Sequence, residues 1–311
     1  MGSQPSKPSK PSVDTNESHK SARNVLENIG IEIYKEIEKT IPYNSELIGT
    51  LSNAQFHDGL RKAAGWGVIP GPANSCDLEH RFYTNINNGY LPARNPCHGR
   101  QQKRFGENAE AYCNSDKIRG NENNSNAGAC APFRRQNLCD KNLEYLINEN
   151  TKTTHDLLGN VLVTAKYEGE SIVAKHPHKD NSQVCIALAR SFADIGDIVR
   201  GRDMFKSNEN VEKGLQVVFG KIYNTLPSAT QNHYKDDDIS GNYSKLREAW
   251  WKANRDQVWK AITCSAPGDV NYFRKGLDGK IIFSDNGHCG RNETNVPTYL
   301  DYVPQFLRWF N

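Results

Sequence analysis

Ala189-Arg190-Ser191-Phe192-Ala193-Asp194-Ile195-Gly196-Asp197-Ile198-Val199-Arg200-Gly201-Arg202-Asp203-Met204-Phe205 is the stretch on which the reading of this chain turns. Val184 and Leu188 extend its apolar positions upstream. The set Val184, Leu188, Phe192, Ile195 and Val199 then recurs at steps of 4, 4, 3 and 4. Such steps place side chains on one face of a helix of 3.6 residues per turn. The spacing predicts a buried helix with a basic exit at Arg200, Arg202 and Lys206, where cations suit the negative end of the helix dipole.

The same period runs through the rest of the C-terminal half. Asp140 is a fair N-cap, followed by Leu143, Leu146 and Ile147 and then by Leu157, Leu158, Val161, Leu162 and Ala165. Another helix carries Val211, Leu215, Val218, Phe219, Ile222 and Leu226, and Pro227 stops it. Ser244 to Thr263 carries Leu246, Trp250, Ala253, Val258 and Ile262, with Trp251 and Trp259 off that stripe. A helix apolar on two sides is expected to be sandwiched in the core. Lys280 to Ser284 makes at most a short strand. Pro304 suits the first turn of a last helix bearing Phe306, Trp309 and Phe310. The chain stops inside that element, so a longer parent protein is expected.

Towards the N-terminus the pattern changes. Residues 1–20 are Pro, Ser and Lys with almost nothing apolar, the composition of an unstructured tail. Ala22 to Thr40 turns helical, with Val25, Leu26, Ile29, Ile33 and Ile37 marking a face that must lie on something. Pro42 ends it. Residues 65–135 are rich in Gly, Pro and Asn and predict irregular loops. Five of the eight cysteines fall between Cys76 and Cys139.

Composition bounds the function. The chain has 311 residues, 36% apolar and 24% charged, a formal net charge of +3 and a mean hydropathy of −0.75. That length supports one large domain or two subdomains. A balanced charge excludes global polyanion binding, so any such site is a local patch and no nucleic acid partner is expected. No apolar run is long enough to span a membrane, and the N-terminus lacks the apolar region of a signal peptide. The cysteines Cys76, Cys97, Cys113, Cys130, Cys139, Cys185, Cys264 and Cys289 show no CxxC spacing. Their even count and loop settings predict four disulfides in an oxidising, extracellular setting, with pairing left open. The free-thiol alternative would make a cysteine nucleophile with one of the nine histidines conceivable. There is no GxSxG, P-loop, HExxH or dinucleotide fingerprint, so neither an enzyme nor a cofactor is expected.

Several local clusters have bland readings. His176-Pro177-His178-Lys179-Asp180 reads as a surface loop and not as a metal site. Asp236-Asp237-Asp238 lacks the Gly and Glu of a calcium loop. Sequons at Asn16, Asn123, Asn242 and Asn292 mark surface position only. The basic cluster Arg94, Arg100, Lys103 and Arg104 has no acid among its members. Converging guanidinium forks suit sulfate or carboxylate oxygens. A solvated loop, or arginines holding loop carbonyls, is the competing reading. For Arg134 and Arg135 the structural reading is favoured. Arg200 and Arg202, and Lys20 and Arg23 on the arm, complete the candidate set of sulfated-glycan contacts.

The segments 189–205 (ARSFADIGDIVRGRDMF) and 297–310 (PTYLDYVPQFLRWF) resemble two signature blocks of the alpha-type Duffy-binding-like domain. CAPFRRQNLCD (130–140) resembles a third block, and WGVIPGPANSCDLEHRFYTN (66–85) is similar to the domain's early segment. The arm before residue 60 is similar to the N-terminal segment that precedes such domains in the Plasmodium falciparum erythrocyte membrane protein adhesins. The resemblance covers nearly the whole chain.

It implies a mainly α, disulfide-stapled fold of three subdomains. Residues 1–60 would be the N-terminal segment, 61–139 subdomain one and 140–311 subdomain two, ending where a third subdomain would begin. It also implies export without a classical signal and display on the infected erythrocyte, with the membrane anchor far downstream. Between residues 189 and 310 only Cys264 and Cys289 occur. Together with Met204-Phe205-Lys206 they resemble the two-cysteine subgroup linked to rosetting. Members of that subgroup bind heparan-sulfate-like glycans, blood-group sugars or complement receptor on erythrocytes. A sulfated glycan fits the basic cluster. A protein receptor, or a structural role in positioning neighbouring domains, is the alternative.

Overall fold

The computed structural model describes residues 21–41, 45–57, 67–86, 91–100, 104–105, 113–114, 118–119, 130–146, 149–206, 209–235, 241–276, 278–283 and 286–309. Its elements run in chain order. Helix α1 (Ala22–Thr40) is followed by short strands β1 (Gln55–Phe56), β2 (Ile69–Pro70), β3 (Cys113–Asn114) and β4 (Ala131–Pro132). Next come α2 (Phe133–Gln136), α3 (Lys141–Glu144), α4 (Thr154–Lys175), α5 (Ser182–Arg200), α6 (Glu209–Thr225), α7 (Ser228–Tyr234) and α8 (Ser244–Ile262). Strands β5 (Phe273–Lys275) and β6 (Ile281–Phe283) and helix α9 (Gln305–Trp309) close the chain. The strands pair as three antiparallel ribbons, β1–β2, β3–β4 and β5–β6. The fold is mainly α, as expected.

Helices α4, α5 and α8 pack on one another and form the centre. Local signals place their ends. Thr153 and Asp156 form a reciprocal capping box before α4, and the Asn181 side chain caps α5. Gly201, at φ 72°, closes α5 in the left-handed region that a Cβ would disfavour. Val184, Leu188, Phe192, Ile195 and Val199 are all fully buried, so the opening segment is the core helix its spacing predicts. Trp250, Trp251 and Trp259 of α8 are likewise fully buried, consistent with a helix apolar on two sides. The Trp250 indole donates to Thr154 Oγ1 at 2.8 Å and that of Trp251 to Asp301 Oδ2 at 2.9 Å, which satisfies two polar tips in the core.

Two expectations about helices are corrected. Asp140 precedes α3 but makes no side-chain cap. Its carboxylate accepts instead from Arg100 at 2.6 Å and from Arg135 at 3.4 Å. On α1, Val25 and Ile29 remain exposed, while Asn24, Leu26, Glu27 and Gly30 face inward. Ile33 and Ile37 are partly buried against the core. The arm docks through polar groups because the surface it meets offers them. Glu27 accepts the Thr298 hydroxyl and the Tyr299 amide, each at 2.8 Å, and also the Tyr272 hydroxyl. A Cβ on Gly30 would stand 2.2 Å from the Tyr299 carbonyl oxygen, so only glycine permits this approach.

Disulfides tie the halves together. Cys76 bonds Cys264, Cys97 bonds Cys139 and Cys185 bonds Cys289. Cys130 is also disulfide-bonded. Cys113 lies in β3, and its side chain is outside the described residues. The Cys76–Cys264 bridge links the irregular N-terminal loops to the end of α8, so those loops are fixed to the helical body as well as to each other.

Candidate functional site

The basic cluster divides when its members are placed. Arg104 is 1% exposed. Its Nη1 donates to both oxygens of Glu168, at 2.9 and 2.8 Å, and to the Asn137 carbonyl, and its Nη2 donates to Ser171 Oγ. Arg94 is buried. Arg100 donates Nε to the Leu138 carbonyl at 2.9 Å and its Nη2 pairs with Asp140 and Glu144. Burial alone would lower the Arg100 pKa, but the carboxylates of Asp140 and Glu144 overcome it and raise it. Arg100 and Arg104 hold the loops to α3 and α4. The sequence expectation that Arg94 and Arg104 contact sulfate is corrected on accessibility: both are buried, and Arg104 is committed to Glu168, so neither reaches a ligand without opening the fold. Arg100 keeps 21% of its side chain exposed, but its guanidinium is engaged by Leu138, Asp140 and Glu144. Lys103 and Lys20 lie outside the described residues.

A second ionic group explains the charges in the opening segment. Asp194 on α5 accepts from Arg134 at 2.6 Å and from Arg308 of α9 at 2.8 Å. Burial pushes the Asp194 carboxyl up, but Arg134, Arg308 and Arg135 outweigh it and bring its pKa down to about 2. Arg135 pairs with Asp203 and Asp140, which confirms the structural reading of this arginine pair. Arg200 is buried against Glu248 at 3.3 Å and Asp197 at 3.2 Å and also donates to the Asp301 carbonyl. It is corrected in the same way as Arg104. Arg202 differs: its side chain is 53% exposed, and it pairs with Glu248 at 2.8 Å.

On the arm, Arg23 is half-buried and donates Nη1 to the Phe273 carbonyl at 2.8 Å. Its guanidinium lies 5.3 Å from the Phe273 ring centroid. Asn28 donates to the Lys275 carbonyl at 3.4 Å, and the Lys275 amide donates to Asn24 Oδ1 at 3.2 Å. Arg23 of α1 is thereby set beside Arg274 and Lys275 of β5, which are both partly exposed. The arm–hairpin junction therefore sets Arg23 alongside the strand that carries Arg274 and Lys275.

Sequence reasoning missed the acidic partners. Asp194 and Asp197 sit within an apolar helix, and a charge in such a setting signals a buried ion pair. It also missed Arg247, which forks onto Glu212 at 2.7 and 3.0 Å, and Arg255, which forks onto Asp301 with 2.9 and 2.8 Å contacts. His176 is buried against Phe105, and the remainder of its loop is exposed. Among the described residues no group of three or more His, Cys, Asp or Glu could hold a metal ion. No described helix is long and apolar enough to cross a membrane.

Comparison with known proteins agrees with this architecture. Residues 128–308 match the Duffy binding domain family, and residues 21–55 match the N-terminal segments of PfEMP1. The NTS-DBL1-alpha and CIDR-gamma double domain of PfEMP1 from the Plasmodium falciparum varO strain is 63% identical, with a TM-score of 0.87 over 93% of this chain and 42% of that one. A PfEMP1 DBLb domain bound to human ICAM-1 is 28% identical, with a TM-score of 0.66 over 93% of this chain and 60% of that chain. The Duffy receptor of Plasmodium vivax is 26% identical over 286 residues, which is 86% of this chain and 22% of that protein. The chain thus spans less than a quarter of the curated relative it matches.

Proposed function

Because the chain belongs to the Duffy binding domain family, whose modules are adhesive and not enzymatic, we propose that it binds carbohydrate on the host erythrocyte. The favoured ligand is a sulfated, heparan-sulfate-like glycan, with blood-group sugars as the other carbohydrate candidate. Its setting would be the outer face of the infected cell, and its outcome would be rosetting. The observation that carries this reading is the arm–hairpin junction, where Arg23 is fixed against the strand that carries Arg274 and Lys275. Cations set on a docked frame lose little freedom on meeting sulfate, which favours binding. Arg202 adds an exposed guanidinium, and Lys20 and Lys103 remain in the proposed contact set.

A protein receptor is the second reading, and the DBLb relative bound to ICAM-1 favours it. The two separate by salt. Exposed charges are screened over about 8 Å at 0.15 M, so glycan binding weakens steeply as salt rises. The test is heparin binding at physiological salt by a variant carrying Arg23→Ser, Arg274→Ser and Arg202→Ser. Weakened binding with an unchanged melting temperature supports the site. Unchanged binding overturns it.

A further inference from the structure

An open cavity of about 370 Å³ lies between the turn at Asn74 and Ser75, the C-terminal end of α8 and Arg291. It is separate from the arm–hairpin junction, and its walls have a definite chemistry. Arg291 donates Nε to the Lys260 carbonyl at 2.9 Å. Its Nη2 donates to Asn74 Oδ1 at 3.4 Å and approaches Cys76 Sγ at 2.9 Å. Those contacts fix the guanidinium plane and leave Nη1 without a hydrogen bond among the described residues. Lys260 also lines the cavity. Its ammonium lies 3.8 Å from Asp256, and both side chains are about half exposed, 47% and 48%, so solvent screens that pair. Gln257 donates Nε2 to the Gly49 carbonyl at 2.9 Å, which leaves its Oε1 as an acceptor. Leu51 and Leu162 supply an apolar wall.

We infer that this cavity is a subsite for one anionic sugar unit. A fixed guanidinium and a mobile ammonium match a sulfate or carboxylate group. The Gln257 carbonyl and the Ser75 hydroxyl suit ring hydroxyls. The volume falls within the range of small-ligand sites, about 300–1,000 Å³. Asn74 and Ser75 adjoin the Cys76–Cys264 bridge, Gln257 and Lys260 lie on α8, Leu162 lies on α4 and Arg291 is bonded to the Lys260 carbonyl, so the subsite is formed before ligand arrives. The inference rests on the carbohydrate-adhesion reading above and adds a second point of contact to it.

The intact, oxidised chain is titrated with a fully sulfated heparin disaccharide, with its unsulfated uronate counterpart and with lactose, while backbone amide shifts are followed. The amides of Asn74, Ser75, Lys260 and Arg291 are expected to move with at least one anionic sugar and not with lactose. The two anionic arms distinguish sulfate from carboxylate as the recognised group. Lys260→Gln and Arg291→Gln each weaken the disaccharide about tenfold, the loss of roughly one charge-assisted hydrogen bond. Peptide mapping checks that Cys76–Cys264 stays closed in each. Silence of those four amides, a response to lactose equal to that of the acidic sugars, or unchanged affinity in Lys260→Gln overturns the subsite. If polymeric heparin still binds in that case, the adhesion reading stands without it. If the wild-type chain binds neither disaccharide nor polymer, both are overturned.

Discussion

The Glu27 carboxylate on α1 accepts the backbone amide of Tyr299 at 2.8 Å, across 272 residues of sequence. Tyr272 and Thr298 donate to the same carboxylate. The arm is thus clamped by a buried acid as well as by Leu26, Ile33 and Ile37. Glu27→Ala leaves three buried donors without an acceptor and is expected to cost about 3 kcal/mol or more. Chemical denaturation measures the loss. Hydrogen exchange along α1 shows whether the arm is released first.

Glu27 and Asp194 give stability opposite dependences on pH. Burial raises the Glu27 pKa above its ordinary 4.5, against the hydrogen bonds from Tyr272, Tyr299 and Thr298. Its contribution is therefore complete below 4.5 and declines as pH rises through the raised folded value. Asp194 has its pKa lowered from 3.8 to about 2, so its contribution is present above 3.8 and is lost as pH falls towards 2. Glu27→Gln should flatten the upper limb of a stability–pH curve and Asp194→Asn the acid limb. Denaturation midpoints between pH 2 and 8 check both.

Arg104→Ser isolates structure from binding. The substitution leaves Glu168 buried without its bidentate partner, an effect expected to cost about 3–5 kcal/mol. Loss of heparin binding in this variant is predicted to track loss of folding. Arg202→Ser removes a half-exposed cation and is expected to change stability by less than about 1 kcal/mol. Thermal melting of the two variants side by side makes the comparison.

Cys185–Cys289 closes a separation of 104 residues and Cys97–Cys139 one of 42. Chain-entropy reasoning makes the longer bridge the more stabilising by about 0.8 kcal/mol. Paired alanine variants of each bridge, compared by denaturant midpoint, test that order.

The core was legible from sequence because its helices obey one rule. Steps of three and four predicted every buried position of the α5 stripe, from Val184 to Val199, and the two-sided burial of the α8 tryptophans. The arm was misread because periodicity scores apolar residues only. Val25 and Ile29 fit a stripe, yet the surface under α1 presents Tyr272, Thr298 and the Tyr299 backbone, which select Glu27 and Gly30. The basic cluster was misread for a related reason. No acid lies within residues 94–104, but Asp140, Glu144 and Glu168 arrive from α3 and α4 and the turn before them. Local charge counts cannot see partners 40 to 64 residues away. Lys260 and Arg291 went unnoticed because they are 31 residues apart in sequence and meet only in the fold.

The proposed recognition of sulfate-bearing sugars on erythrocytes has a direct test. Binding of the folded chain to erythrocytes is measured with heparin or chemically desulfated heparin as competitor, at low and physiological salt. Competition by heparin alone, with binding that falls steeply as salt rises, is the predicted result. Binding that neither heparin nor salt diminishes would contradict the account and point to a protein receptor.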